Sequence, residues 1–240
     1  MNLSKEFFFN LERRLIDAGL DSDAEKFEVI KARLANKIPL SAEEFARQAI
    51  YVVLAGGFSQ KTAKKVHAKI MEYLATSNQV PVTSELLVIF NNKNKINAIL
   101  EIWRNRQAYR DGYYQLADSK EQRAEGGSLN SKLDYLSGLP HIGKITANHL
   151  ARNLGEDIVK YDIWIQRLGV VFASQKQSIE YKAQGIDTLR SKIDNGKLDP
   201  GVKAACDEMF AHLVRETGLP RGYIDVVLWK GLQNHMIEGV

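Results

Sequence analysis

The chain has 240 residues, of which 45% are hydrophobic, so it can bury one large core or two smaller cores. This composition argues against a disordered protein, and no run approaches the about 18 to 20 apolar residues that cross a membrane. The formal net charge of +4 permits an anionic partner such as nucleic acid but does not require one.

The chain has one cysteine, Cys206. One thiol cannot form a disulfide within the chain, and it cannot supply the four thiolates of an iron–sulfur cluster. The histidines show no metal-ligand spacing. We therefore expect a cytoplasmic protein with no metal and no cofactor.

Apolar residues recur at helical spacing along almost the whole chain, and the alternating pattern of strands is missing, which predicts an all-α fold. Two capping boxes, Ser22 with Glu25 and Ser41 with Glu44, indicate helix starts. The polar stretch 118–128 is predicted to be a loop. In chain order, helices are predicted over 3–18, 41–54, 59–73, a short stretch after 83, 94–115, 129–136, 143 onward, 179–193, 200–216 and a last helix that ends near 234.

The segment from Leu139 to Asn148 joins two predicted helices through a tight turn, which predicts a helix-hairpin-helix. The free N–H groups at the start of the second helix, and the positive end of its dipole, can bind a phosphate oxygen. Gly143 would let the backbone approach the phosphate closely, and Lys144 adds a charge. A purely structural helical turn is the alternative.

Several motifs occur in the order found in a known family. They are Ser59-Gln60-Lys61-Thr62, Asn94-Lys95-Ile96-Asn97-Ala98-Ile99, Leu139-Pro140-x-Ile142-Gly143-x-x-Thr146-Ala147-Asn148 and Tyr161-Asp162-Ile163-Trp164-Ile165-Gln166-Arg167. Together they resemble the endonuclease III and helix-hairpin-helix DNA glycosylase superfamily, over about residues 43 to 168. The hairpin followed by the aspartate is the more specific part of the resemblance.

The resemblance implies two helical lobes with a DNA-binding cleft between them. The predicted central lobe spans 43–167, with the hairpin at 129–154 and a catalytic loop at 160–163. The other lobe combines 1–42 with 168–240. The expected partner is double-stranded DNA, and the resemblance implies a monomer. The DNA-binding residues that it implies are Leu139, His141, Ile142, Gly143, Lys144, Thr146, Gln60 and Lys61.

Three positions depart from the family's pattern. Ile145 stands where bifunctional members carry the lysine that attacks the sugar, and a slip of one residue turns Lys144 by about 100° around the helix. We therefore expect a monofunctional, hydrolytic enzyme. His141 replaces the first glycine of the hairpin, and Trp164 replaces a histidine that follows the aspartate.

Asp162 is the expected catalytic residue. Cleavage of an N-glycosidic bond leaves positive charge on the sugar, which a nearby carboxylate stabilises while it orients or deprotonates the attacking water. A position at a helix start favours the charged carboxylate. The competing interpretation is that Asp162 only caps its helix.

A base inside a duplex must be flipped into a pocket before it can be cut. The resemblance makes Gln60 the residue that fills the gap left in the helix. Flat or apolar side chains would form the pocket wall, and the candidates are Phe58, Trp103, Tyr161, Trp164 and Trp229. Each of them could instead be ordinary core packing.

Two other functions stay open. The chain could be a bifunctional glycosylase and lyase that uses Lys144, or a DNA-binding module without catalysis. The substrate could be a damaged base, in repair, or a modified base of phage DNA, in defence. The motifs do not separate these alternatives.

Overall fold

The computed structural model describes residues 2–22, 25–76, 82–118, 127–176, 185–193 and 197–239. Within these ranges the regular secondary structure is α-helical, and no strand is present. The one β-type pairing in these ranges is an isolated bridge between Ser22 and Lys26. The predicted all-α fold is thus confirmed. The helices are α1 (Lys5–Asp17), α2 (Phe27–Asn36), α3 (Ala42–Ala55), α4 (Gln60–Thr76), α5 (Thr83–Ile89), α6 (Lys93–Arg104), α7 (Arg106–Asp118), α8 (Gly127–Ser137), α9 (Lys144–Asn153), α10 (Ile163–Lys176), α11 (Ile186–Ser191), α12 (Pro200–Thr217) and α13 (Arg221–Gln233).

The helices form two compact units. The terminal unit combines Met1–Lys37 with Gly155–Val240, and the central unit is Ile38–Leu154. The central lobe was predicted over 43–167, so the structure moves 38–42 into the central unit and 155–167 into the terminal unit. Ile165 explains the second difference, because it is fully buried in the core of the terminal unit. None of the helices in the described ranges is long and apolar enough to cross a membrane.

The core of the terminal unit centres on the packing of α10 against α12. Gly169 lies where these helices meet, and a Cβ atom built on it would lie only 2.6 Å from the Sγ atom of Cys206. The Cys206 thiol donates to the carbonyl oxygen of Ile165 at 3.5 Å, and burial raises its pKa. Cys206 is therefore a buried packing residue of this unit, as its apolar surroundings in the sequence predicted.

The core of the central unit centres on α3. Nine of its 14 residues are buried, and it packs against α4, α6, α7 and α9. The helix begins where predicted, because the Ser41 hydroxyl accepts the N–H of Glu44 at 3.1 Å. Shielding on almost every side explains why residues 49–54 in its second half form an unbroken run of buried side chains.

Two predicted helices differ in the structure. The capping box predicted at Ser22 is wrong: α2 has Lys26 as its N-cap, and Glu25 forms an ion pair with Arg33.

The helix predicted over 94–115 is two helices that meet at Asn105, whose side chain donates to the Glu101 carbonyl oxygen at 3.0 Å. Asparagine competes for backbone groups in this way and so weakens a helix. Most of the loop predicted over 118–128, and part of the helix predicted over 179–193, lie outside the described residues.

Candidate nucleic-acid and catalytic site

The predicted hairpin is present in the central unit, as α8, a turn over 138–143, and α9. The Ile142 N–H donates to the Leu139 carbonyl oxygen at 3.1 Å and closes the turn. The side chains of Leu139 and Ile142 are both buried, so they anchor the turn in the unit. Of these two residues, only the backbone is therefore suited to a contact with DNA.

His141 is exposed at the tip of the turn, with φ at +63°. This left-handed conformation suits glycine, and histidine is one of the few other residues that adopt it with some frequency. The structure thus gives a physical reason why the resembled family has a glycine at this position. His141 adopts this conformation here and adds an imidazole to the surface of the turn.

Gly143 is the N-cap of α9 and offers no side chain to the helix start. The Thr146 hydroxyl accepts the Gly143 N–H at 2.7 Å and donates to the Gly143 carbonyl oxygen at 2.9 Å, which fixes the turn. A helix provides no internal acceptors for its first N–H groups, so those that begin at Lys144 can bind an external anion. Lys144 itself is exposed beside them.

The loop before α4 displays an aromatic residue on a buried lysine. Lys95 is buried, donates to the Gly56 carbonyl oxygen, and lies 4.7 Å from the centre of the Phe58 ring. Burial lowers the pKa of Lys95. Phe58, of which 43% is exposed, also packs edge-on against Phe90. Contacts with Lys95 and Phe90 therefore hold the loop in place, although Phe58 is partly exposed to solvent.

Two further predicted DNA contacts follow this loop. Lys61 is exposed in the first turn of α4. The Ser59 hydroxyl accepts the N–H of Thr62 at 3.2 Å and so caps the same helix. Gln60 is the first residue of α4, and its side chain lies outside the described part of the structure.

Asp162 is the N-cap of α10 in the terminal unit. Its Oδ1 atom accepts the N–H of Trp164 at 3.1 Å and the N–H of Ile165 at 3.2 Å. Capping therefore occupies one carboxylate oxygen and leaves the other outside the cap. Only 10% of the Asp162 side chain is exposed, so its direction is set by these contacts.

The second oxygen of Asp162 faces a lysine that the sequence analysis did not single out. The Nζ atom of Lys160 lies 3.2 Å from Oδ2, and 17% of the Lys160 side chain is exposed. The same ammonium lies 4.9 Å from the centre of the Trp229 ring, a favourable cation–π distance. Asp162, Lys160 and Trp229 thus form one group, which we name the carboxylate cluster.

The backbone around the carboxylate cluster is held from both sides. The Lys160 N–H donates to Asp225 Oδ2 at 3.3 Å, and the Gly222 N–H at the start of α13 donates to Asp157 Oδ1 at 2.8 Å. The Gln166 amide, fully buried, donates to the Tyr161 carbonyl oxygen at 2.9 Å. The segment before α10 is therefore fixed although it has no regular secondary structure.

The five predicted pocket residues belong to different surroundings. Tyr161 is buried, and its hydroxyl donates to Asp207. Burial raises the pKa of Tyr161, and the contact with Asp207 raises it further. Trp164 is half-buried beside Arg167, and Trp229 supports Lys160. These three residues lie in the terminal unit, whereas Phe58 and the buried Trp103 lie in the central unit. A base-stacking role stays a prediction for all five.

The structure adds two lysines to the predicted site residues, Lys160 and Lys95. Lys160 precedes the aspartate by two residues, and Lys95 falls within one of the quoted motifs, so both could have been noticed. Their roles depend on contacts with residues distant in sequence, Trp229 and Phe58 respectively. In the described part of the chain, no three His, Cys, Asp or Glu side chains come together as metal ligands would.

No protein-family model matches the chain, and no curated protein matches it by sequence. Among solved structures, it is similar to the 8-oxoguanine DNA glycosylase of Methanocaldococcus jannaschii, with a TM-score of 0.60 and 15% sequence identity over 96% of this chain and 93% of that one. It is also similar to the 8-oxoguanine glycosylase/lyase of the same organism in complex with a 15mer DNA containing 8-oxoguanine. There the TM-score is 0.57 and the identity 14%, over 95% and 98% of the two chains.

At these identities the likeness concerns the fold. It extends over nearly the whole of each chain, so both units are included. The fold implied by the sequence motifs is confirmed: the chain has the fold of the helix-hairpin-helix DNA glycosylases.

Proposed function

We propose that the protein is a DNA glycosylase. It flips a damaged or modified base out of double-stranded DNA and hydrolyses the N-glycosidic bond, leaving an abasic site. The observation that carries this proposal is Asp162, a carboxylate that is fixed through one oxygen and presents the other away from the helix cap. The fold and the hairpin one helix upstream support it.

In the proposed reaction the hairpin binds the sugar–phosphate backbone through the first N–H groups of α9 and through Lys144. Asp162 stabilises the positive charge that develops on the sugar as the base departs. It also orients the water that attacks the sugar carbon. Because Ile145 has no amine, we propose that base release is hydrolytic and that the enzyme is monofunctional.

The experiment that tests the function is mass spectrometry of released bases. The protein is incubated with a duplex that contains 8-oxoguanine opposite cytosine, and with genomic DNA from several sources, including phage DNA with modified bases. We expect a free base and an equal number of abasic sites. The modified phage DNA separates a role in defence from a role in repair. Binding of these DNAs with no base released from any of them would identify a non-catalytic module and contradict the proposal.

Two finer proposals are tested in the same samples. Borohydride should trap no covalent adduct on abasic DNA, and an adduct that disappears in Lys144→Ala would identify a lyase. We also propose that the enzyme acts in the cytoplasm as a monomer. Light scattering of the free protein should accordingly give the mass of one chain, 27.1 kDa.

A further inference from the structure

The carboxylate cluster contains a lysine, Lys160, that helix capping does not require. Capping uses Asp162 Oδ1 alone, and it would be complete without Lys160. Yet the Lys160 ammonium lies 3.2 Å from Oδ2, the oxygen that the proposed reaction needs. The question is therefore what an ammonium group does at this oxygen.

The contacts of the carboxylate restrict how it can turn. A carboxylate has about four lone-pair directions, and here two N–H groups and one ammonium occupy three of them. With both oxygens held, rotation about the Cβ–Cγ bond would break at least one of these contacts. Lys160 thus determines which single direction of Oδ2 stays available.

Lys160 is itself held in place. Its ammonium lies 4.9 Å from the centre of the Trp229 ring, and its backbone N–H donates to Asp225 Oδ2 at 3.3 Å. Trp229 has 9% of its surface exposed, so its ring is a fixed support. A long and flexible side chain is in this way confined between an indole ring and a carboxylate.

We propose that Lys160 is the positioning residue of Asp162, and that the indole of Trp229 holds Lys160 in place. This inference rests on the proposed function, because it assigns a role toward the same carboxylate. Lys160 acts through Asp162 and forms no bond with DNA or with the sugar. The ammonium keeps Oδ2 directed toward the reacting sugar.

The test compares single-turnover base release from the 8-oxoguanine duplex, or from whichever DNA of the panel above the wild type cleaves. Lys160→Met removes the charge and keeps most of the chain length. We expect its rate to fall about ten- to a hundredfold, the range that misplacement of a catalytic group by about 1 Å produces. Lys160→Arg should recover most of the rate, since a guanidinium keeps the ion pair. DNA affinity should change less than threefold in either variant.

Lys192→Met is the matched control. Lys192 also pairs with the second oxygen of an N-cap aspartate: its Nζ atom lies 3.5 Å from Asp199 Oδ2, while Asp199 Oδ1 accepts the Gly201 N–H at 2.8 Å. Its carboxylate is not the proposed catalytic one, so base release should remain at the wild-type rate. A second set of variants tests the support: Trp229→Leu should lower the rate, and Lys160→Met with Trp229→Leu should be no slower than Lys160→Met alone.

The outcomes separate the inference from the proposed function. A wild type that releases no base from any DNA contradicts the function. If the wild type is active and Lys160→Met releases base at an equal or higher rate, the inference is overturned but the proposed function is not. Lys160→Arg as slow as Lys160→Met, together with a borohydride adduct that Lys160→Met abolishes, would make Lys160 a nucleophile and would also overturn it. A rate loss that only parallels a loss in melting temperature would assign Lys160 a structural role.

Discussion

The helix starts of α9 and α10 are capped in opposite ways. Gly143 gives α9 no side chain, so the first N–H groups of that helix keep their capacity for an external acceptor. Asp162 fills the same positions of α10 with its own carboxylate. The first start is suited to an anion such as a phosphate. The second carries an anion of its own and is suited to a cation.

The contrast shows how one structural element can serve two kinds of chemistry. Both starts depend on the positive end of a helix dipole. At α9 the dipole is available to a ligand, whereas at α10 it stabilises a protein carboxylate. In the proposed reaction, DNA offers a phosphate to the first, and base excision creates a positive sugar for the second. Variants at Lys144 test the first assignment, and a variant at Asp162 tests the second.

The largest expected effect is that of Asp162→Asn on base release. An amide oxygen can still accept the two N–H groups of the cap, since Asn and Asp are about equally good N-caps. It carries no charge to stabilise the sugar, so we expect the single-turnover rate to fall about 10²- to 10³-fold. Circular dichroism and DNA binding check that the variant remains folded and competent. A rate close to that of the wild type would reduce Asp162 to a helix cap.

The next effect concerns DNA affinity at the α9 start. Lys144→Ala removes a charge and keeps the backbone N–H, whereas Lys144→Pro removes both. Proline is tolerated at the first position of a helix, and Gly143 already has the extended backbone that proline requires before it. We expect Lys144→Pro to bind an abasic duplex about tenfold more weakly than Lys144→Ala, the loss of one charge-assisted hydrogen bond.

Salt titrations complete this comparison. Lys144→Ala should lower the slope of log affinity against log salt by about one, as expected for the loss of one phosphate contact. Equal affinities for Lys144→Ala and Lys144→Pro would mean that the first N–H of α9 does not contact the backbone of DNA.

The smallest expected effect is on stability, at the tip of the hairpin. His141 has φ at +63°, which glycine adopts without strain and a β-branched residue adopts badly. His141→Val should lower the free energy of unfolding by about 1 to 2 kcal/mol, and His141→Gly should be at least as stable as the wild type. Urea unfolding measures both. A valine variant with wild-type stability would show that the turn adopts another conformation.

Local features of the site could be predicted from the sequence. The hairpin turn, the cap at Asp162 and the N-cap at Ser41 depend on residues that are two to four positions apart, so their spacing identifies them. The boundary between the units could not be placed in this way, because an apolar residue such as Ile165 fits either core equally well in a one-dimensional pattern.

The contacts of Lys160 were outside the reach of the same reasoning. Its position beside Asp162 depends on the path of a segment with no regular structure, and its support, Trp229, comes from the last helix. Trp229 was only a candidate for the wall of the base pocket, because an isolated tryptophan in a sequence does not reveal what covers its ring. Lys95 under Phe58 is a second case of this kind.

The most direct test of the central claim needs no knowledge of the excised base. Two duplexes of one sequence are compared, one with a cationic pyrrolidine in place of a nucleoside and one with a neutral tetrahydrofuran. The wild type should bind the cationic duplex about tenfold more tightly or better, since transition-state analogues exceed ground-state ligands by such factors. Asp162→Asn should bind both duplexes about equally. An unchanged preference for the cation in Asp162→Asn would contradict the account.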